Sequence, residues 1–505
     1  MTDQLALLPE LLTAHLQIAL AALVVSTIVS VPLGLVAARV AWLEQPILGV
    51  AGVIQTVPSL ALLAVMVPLL AALGLPSIGL LPAFIGLTLY GVLPVLRNTV
   101  TGLAGVDPAL KEAARGVGMT DMQMLRRVEL PLAMPVIVAG LRTSTVWVVG
   151  MATLSTPVGA ASLGNYIFSG LQTRNLAAVL VGCVAAAGLA LVLDGLVHAV
   201  ETAVSERRRG RLAVSLGLSG LLVVYAGATL AGDLAGGARP TVVIGSKAFT
   251  EQYILSDLMA DVVERDTGLD TRLVQSLGST VAFDALEAGT IDAYVDYTGT
   301  IWATIMRRAD RPPRREDVVE EVRRYLRDTH GIVLVASLGF ENAYALAMRE
   351  ADAGRLGIKT ISDLVPYAGR MTVGADYEFF ARPEWPAVRD TYGLAFESRR
   401  TMDPALMYQA VAEGSVDVIT AFTTDGRVAA LDLRLLVDDR GAIPPYDAVI
   451  LAGRSLAAAH PEVIAALARL EGAIDADRMR RLNLAVDERG ESPSDVARQV
   501  LEGER

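Results

Sequence analysis

Residues 285–300, "ALEAGTIDAYVDYTGT", align without gaps to residues 410–425, "AVAEGSVDVITAFTTD". Each stretch has a helical pattern, a glycine stop (Gly289, Gly414), an apolar-Asp pair (Ile291-Asp292, Val416-Asp417), a short apolar strand, then an aromatic with hydroxyls. Tyr297 falls opposite Phe422, and Thr300 opposite Asp425. Two readings are open: shared grammar of unrelated βα units, or two similar lobes facing a cleft. In the second, the strand ends present Tyr297/Thr300 and Phe422/Asp425 to a ligand. Clefts between domains are common ligand sites, and hinge closure is their usual motion.

Residues for bond-making chemistry are absent. His15 and His198 border apolar runs, and His330 and His460 stand alone. There is no HExxH, no GxSxG elbow and no Cys/His pairing. The single cysteine, Cys183, lies inside an apolar run, which excludes a disulfide framework and a thiolate metal cluster. Carboxylates are plentiful, but no spacing marks a catalytic pair. No GxxxxGK[ST] loop is present, so the chain does not hydrolyse ATP by itself. The net charge of -11 argues against a general nucleic-acid binder. The expectation is a non-enzyme without metal or cofactor.

The elements that position these residues fall into two classes. The chain has 505 residues, 53% of them hydrophobic, too many for one ordinary domain. Up to about Leu230, apolar runs alternate with short polar breaks; after Pro240 the chain reads as a soluble protein. Six candidate spans lie at about 13–38, 47–70, 77–97, 134–154, 176–199 and 212–231, each near the ~20 apolar residues that cross the bilayer. The opening "MTDQLALLPELLTAH" has no Lys or Arg, a poor signal peptide, so the first run is expected to be retained. Basic residues cluster in alternate loops: Arg39; then Arg97, Lys111, Arg115, Arg126 and Arg127; then Arg207, Arg208, Arg209 and Arg211, with Arg174 the main exception. The positive-inside rule places these loops in the cytoplasm and both termini outside. The expected organisation is a membrane part over 1–211 with five spans and a cytoplasmic loop at 101–135. A sixth span and a linker, "GDLAGGARP", follow over 212–239, and an extracytoplasmic domain over 240–505.

Within the loop, Asp107-Pro108 reads as a helix start, an Asp cap before Pro at the first helical position. Gly116 and Gly118 loosen or end that helix, with Gly118 the better stop. Thr120 with Gln123 is a capping-box pattern that starts a second helix, and Leu130-Pro131 is expected to end it. The plain reading is an amphipathic loop with basic membrane anchors. "EAARGVG" followed by "ELPLAMP" resembles the cytoplasmic loop of permeases from ATP-binding-cassette importers. The resemblance implies that Glu112, Ala113, Ala114, Gly118, Leu130 and Pro131 belong to a coupling helix that docks on a separate ATPase subunit.

After Pro240, "TVVIG", "TRLVQS", "GIVLVA", "MTVGA", "LRLLV" and "AVILA" read as strands between helical patterns. Ile254, Leu255, Leu258, Met259, Val262 and Val263 share one helical face. The alternation predicts an α/β sandwich with largely parallel sheets. "GSKAFTEQ", "DYTGT", "GFENAYAL", "LMYQAVAEGSVDVITAFTTDGR" and "IPPYDA" resemble the glycine betaine/choline/carnitine class of extracellular receptors, and the match runs through nearly all of 241–450. The whole chain thus resembles fused permease–receptor proteins of quaternary-amine importers. The implied fold is an all-α six-span permease plus a two-lobed, type II periplasmic-binding-protein-like α/β domain. Lobe 1 takes about 240–345 and 440–505, and lobe 2 about 346–439.

In that family an aromatic cage holds a trimethylammonium head. Such a head has no N–H to donate and spreads its charge over methyls, so ring faces suit it at ~0.5–2 kcal/mol each. The cage candidates are Tyr297, Tyr344, Tyr377, Tyr408 and Tyr446, with Tyr297 and Tyr446 in family-like motifs. Gln252, Thr300 and Asn342 are tail-binding candidates. Asp425 is a further binding candidate or, with Arg427, a lobe-bracing pair. Two departures concern the substrate: "EFFARPEWPAVRDTYGL" keeps Arg382 but has Pro-Glu-Trp in place of a glycine turn, and Asp447 adds an anion beside Tyr446. Glycine betaine, choline, carnitine and proline betaine are the implied ligands, and ergothioneine, a larger betaine, is an alternative. The resemblance also implies a homodimer in the cell membrane. A ligand-gated channel with a bilobed receptor would leave the coupling loop unexplained, and a purely sensory receptor would need an output module, whereas after Pro240 only a binding domain is read.

Overall fold

The computed structural model describes residues 7–173, 175–206, 208–235, 241–308, 315–376, 379–382 and 384–502. The expectations at Arg174, Arg207, Tyr377 and the 236–240 part of the linker lie outside the described residues. The chain divides into two compact units, one holding Met1–Ile167 and Ala177–Ala238, the other Arg239–Arg505 with Phe168–Leu176.

The first unit is helical: α1 (Leu8–Arg39), α2 (Ala41–Thr56), α3 (Ser59–Ala72), α4 (Leu80–Ala104), α5 (Pro108–Gly116), α6 (Leu130–Ala152), α7 (Leu176–Ser205) and α8 (Arg209–Ala235). Among the described residues, five helices are long and apolar enough to span a membrane. The second expected span is not continuous: α2 and α3 form a pair bent by 99°. The cause is Pro58, which pushes Val57 out of the helical region to φ −69°, ψ 128°. Backbone groups freed in hydrocarbon must find partners. Here the Tyr90 hydroxyl donates to the carbonyl of Val57. Pro94 in α4 leaves the Tyr90 carbonyl without its helical donor, and Gln55 Nε2 supplies one at 3.0 Å.

Two further contacts decide whether the bent pair crosses or turns back. Arg39, at the end of α1, pairs with Glu129 just before α6. At the opposite end, Gly79, just before α4, donates to Val158 O at 2.7 Å, beyond the end of α6. The bent pair starts beside one end of α6 and finishes beside the other, the ends a single crossing would have; counted as one span, it brings the candidate spans to six. Small residues let the helices approach: a Cβ on Gly91 of α4 would lie 2.5 Å from Ser26 Oγ of α1 and 3.1 Å from Ser144 Oγ of α6. Ser26 and Ser144 donate to Thr88 O and Gly91 O at 2.9 Å.

The second unit contains two five-stranded sheets. Sheet A has the order β2 (Asp270–Leu277), β1 (Thr241–Lys247), β3 (Ala293–Tyr297), β10 (Asp447–Ala452), β4 (Val333–Glu341). Sheet B has the order β7 (Ser398–Thr401), β6 (Thr372–Ala375), β8 (Val418–Phe422), β5 (Tyr344–Arg349), β9 (Leu433–Leu436). The sheets are mixed: in each, the strand fourth in order runs against its neighbours, β10 in one and β5 in the other. The internal repeat coincides with β3 and β8, each third in its sheet. In both, the Asp before the strand locks onto a parallel neighbour: Asp292 exchanges bonds with Val243, and Asp417 with Thr372, at 2.7–3.0 Å. Gly289 and Gly414 both take the positive φ that ends the preceding helix, +70° and +79°. These matched details favour two similar lobes over coincidence. The helix α9 (Thr250–Thr267) buries all six residues of its expected apolar face.

If the bent pair crosses, cysteines at Trp42 and Gly74 in a Cys183→Ser background will react with a membrane-impermeant maleimide from opposite sides. Labelling of both from the same side would make the pair a re-entrant loop.

Candidate functional site

Strands β1, β3, β6 and β8 run parallel within their sheets, and their C-terminal ends bring Lys247, Tyr297, Ala375 and Phe422 toward the junction of the two sheets. That is where α/β folds bind ligands. The crossover from β4 to β5 places Asn342 and Tyr344 there, and the return to β10 places Tyr446. The rings form a connected series. Phe249 stacks between Tyr297 and Phe422, at 6.2 and 6.4 Å between centroids. Tyr344 lies 4.9 Å from Phe422, 5.0 Å from Phe379 and 5.9 Å, edge-on, from Tyr446. Cations already use these faces: Lys247 Nζ sits 5.4 Å from the Tyr297 centroid and the Arg382 guanidinium 5.4 Å from that of Tyr344.

Tyr297, Tyr344 and Tyr446 therefore come together as expected, but Tyr408 does not join them. It packs in a separate core with Met407, Val411 and Ile419, and Arg427 covers its ring at 4.0 Å. Its hydroxyl accepts the Phe422 N–H at 3.1 Å, so it supports a cluster ring from behind. Its place in α10 (Pro404–Ala412) gives it the periodicity of a core residue. Phe249, Phe379 and Phe422 are the rings that a search for tyrosines passes over, although Phe422 is marked by its alignment with Tyr297.

Beneath the rings lies Glu251, at the start of α9 and 2% exposed. It accepts from Tyr297 OH at 2.6 Å, Asn342 Nδ2 at 3.0 Å, Thr424 Oγ1 at 2.5 Å and Asn483 Nδ2 at 3.2 Å. Burial raises its carboxyl above the ordinary value, and those four bonds oppose the rise. Gln252 is engaged at both ends of its amide, by Lys247 N at 3.2 Å and Tyr297 OH at 3.0 Å. Thr300 is buried, but Thr298 makes the cross-links, donating to Pro445 O at 3.0 Å and accepting from Asp447 N at 2.9 Å. Asp425 and Arg427 pair at 2.5 Å within one turn, and Arg427 also acts electrostatically on Asp487 of the other lobe. Thr424 also bonds across: its hydroxyl reaches Glu251 and its carbonyl accepts Asn483 Nδ2 at 2.9 Å. The anion at Asp447 is matched by Arg315 Nε at 2.7 Å. The Pro-Glu-Trp departure supplies a buried ion pair, Arg382 Nη2 to Glu384 Oε1 at 2.9 Å, and Tyr446 donates to the same oxygen.

In the membrane unit, the expected caps form: Asp107 accepts Ala109 N at 2.8 Å, and Thr120 and Gln123 make a capping box. Gly118 takes φ +82°. Leu130-Pro131 does not end the second helix. The turn Leu125–Glu129 widens to a π-turn, with Leu130 N donating to Leu125 O, and the chain passes straight into α6. Widening absorbs the N–H that Pro131 lacks. Glu112 and Ala113 are exposed, Ala114 is buried, and the apolar Leu110, Val117 and Met122 face outward beside them. Glu129 pins the segment to the bundle through Arg39 and Lys111.

Comparison with known proteins fits both halves. Residues 240–503 match the family model described as the substrate binding domain of ABC-type glycine betaine transport system. Residues 30–206 match the binding-protein-dependent transport system inner membrane component. The chain is 30% identical over 468 residues to the ergothioneine transport permease/ergothioneine binding protein EgtU of Helicobacter pylori, covering 90% of this chain and 83% of that protein. It is 44% identical over 198 residues to the choline transport system permease protein OpuBB of Bacillus subtilis, covering 39% of this chain and 88% of the relative. It is 31% identical over 274 residues to the carnitine transport binding protein OpuCC of Listeria monocytogenes, covering 53% and 88%. The fold and site are those of a binding-protein-dependent importer. The chain belongs to the glycine betaine/choline/carnitine family of these importers, with permease and substrate-binding domain fused in one polypeptide.

Two expectations follow from the buried carboxyls. Tyr297→Phe leaves Glu251 one donor short, at a cost of about 1–3 kcal/mol, so thermal unfolding of residues 240–505 will shift down; an unchanged melting temperature would contradict the bond. Asp487, buried and bonded by Thr250 Oγ1 at 2.6 Å, is pushed up to about 7, by burial first, with Arg427 opposing and Asp425 adding to the rise. A carboxyl raised on folding stabilises most below its unfolded value and loses that contribution as pH rises through about 7. The unit should melt lower at pH 8 than at pH 5, and Asp487→Asn should reduce that difference; an undiminished difference would exclude Asp487 as a source.

Proposed function

We propose that the chain is the membrane-embedded half and tethered receptor of an importer for quaternary ammonium compounds, driven by a separate ATPase. The observation that carries this reading is the ring series Tyr297, Phe249, Phe422, Tyr344 and Tyr446 at the junction of the two lobes. Ring faces from both lobes suit a methylated cation that cannot be held by hydrogen bonds, and closure of the lobes around it is the signal sent to the permease. Asn342 and Gln252 fix the cage rings and the crossover. Tyr377 is retained as a cage candidate from the sequence alone. The ligand classes are those of the family, with ergothioneine favoured as a second reading by the relative that shares the fused architecture along most of its length.

The receptor lies outside the cell and the coupling loop inside, a placement supported by the clustering of basic residues in alternate loops. Two copies of the chain form the pathway, since one copy supplies one coupling loop and the family's importers use two. The exposed Leu110, Val117 and Met122 beside Glu112 and Ala113 suit a protein partner, because contiguous apolar groups on a polar loop mark interaction surfaces.

The functional test has two readouts. The purified chain should bind a trimethylammonium ligand, and Tyr344→Ala should weaken it by about 1–2 kcal/mol in calorimetry. Val117→Asp should reduce co-purification of the ATPase while leaving ligand affinity unchanged. A chain that binds no such ligand, or that retains its ATPase in the Asp variant, would contradict the corresponding half of the reading.

A further inference from the structure

Glu384 is 1% exposed, and its two oxygens differ. Oε1 takes Arg382 Nε at 3.2 Å, Arg382 Nη2 at 2.9 Å and the Tyr446 hydroxyl. Oε2 is buried without any hydrogen-bond partner. Neighbouring Trp385 is in the same condition: 4% exposed, with Nε1 unpartnered. Buried polar atoms are almost always bonded, and an orphan is costly to keep. These two lie among the binding rings, since Arg382 covers Tyr344, Tyr446 meets Tyr344 edge-on, and Trp385 lies 6.1 Å from Phe379.

We propose that Glu384 Oε2 accepts a hydrogen bond from the ligand, and that the ligand carries an N–H or O–H donor in addition to its methylated ammonium head. The inference rests on the quaternary-ammonium reading of the same site. Arg382 and Tyr446 hold the carboxylate by its other oxygen, so the free one is fixed in place before the ligand arrives, which lowers the ordering cost of binding. The indole N–H beside it suits an acceptor on the same ligand group. Glycine betaine has no donor and would leave Oε2 orphaned. Choline and carnitine offer a hydroxyl, and ergothioneine a ring N–H. Sites built to bond a substrate donor reject analogues that lack it, because the unpaired group stays buried.

The test uses the full chain in nanodiscs, titrated calorimetrically with glycine betaine, choline, carnitine and ergothioneine. At least one donor-bearing ligand should bind about tenfold or more tighter than glycine betaine. In Glu384→Gln the amide keeps its oxygen toward Arg382 and turns its NH2 to the free position, replacing an acceptor by a donor. That variant should lose about tenfold or more for the donor-bearing ligand and stay within about threefold for glycine betaine. Glycine betaine binding tightest to the unaltered chain, or equal losses for both ligands in the variant, would overturn the proposal. The ranking in the unaltered chain decides even if the variant does not fold. Failure of all four to bind would overturn the quaternary-ammonium reading itself, an outcome distinct from glycine betaine ranking first.

Discussion

The buried carboxylate of Glu251 has to be bonded from several sides, because a bare charge in a protein interior is too costly to keep. Its four donors come from the end of β3, the first crossover, the loop after β8 and α11 (Ala476–Asp487). Satisfying one side chain therefore fixes the ring of Tyr297, the path of Asn342 and the approach of Thr424 from the other lobe. Two close approaches follow from that fixed point. Gly426 lies against the backbone of Leu484, where a Cβ would be 2.8 Å away, and a Cβ on Gly299 would lie 2.5 Å from the Tyr446 ring. The rings are held in position by a polar knot beneath them, not by their own packing alone.

The membrane unit solves a related problem with backbone groups. Its helices carry prolines at positions 32, 46, 68, 94 and 135, Pro58 breaks the chain between α2 and α3, and each removes a backbone donor. The Tyr90 hydroxyl and the Gln55 amide serve the carbonyls at the break and at Pro94. Glu129 then ties the cytoplasmic-loop segment expected from the sequence to α1 and α5 through Arg39 and Lys111.

Much of this was legible where it depends on neighbours in sequence. The caps at Asp107 and Thr120, the glycine stops and the apolar face of α9 are local patterns, and the repeat marked the third strand of each sheet. What escaped depends on distance or on weak signals. Pro58 sits inside a run apolar enough to read as one span. β7, "SRRT", is wholly exposed and has no apolar alternation to betray it. β5 hides in a motif that was read for its tyrosine. Glu251 stands next to Gln252, yet its importance comes from residues 46 to 232 positions away. Tyr408 illustrates the converse: residue type nominates a ring, and only packing shows that Arg427 already covers it.

The central claim is that the ligand is a methylated cation held by rings from both lobes. A structure of residues 240–505 with bound choline tests it most directly. The account predicts the methyl carbons in contact with the rings of Tyr344 and Phe422 from one lobe and Tyr297 or Tyr446 from the other. A groove of about 590 Å³ runs beside β9, lined by Tyr344 together with Arg315, Glu341, Leu436, Val437 and Pro445, and by neither Tyr297 nor Tyr446. Choline touching rings of one lobe only, as it would in that groove with Tyr344 as its one ring, would contradict the account.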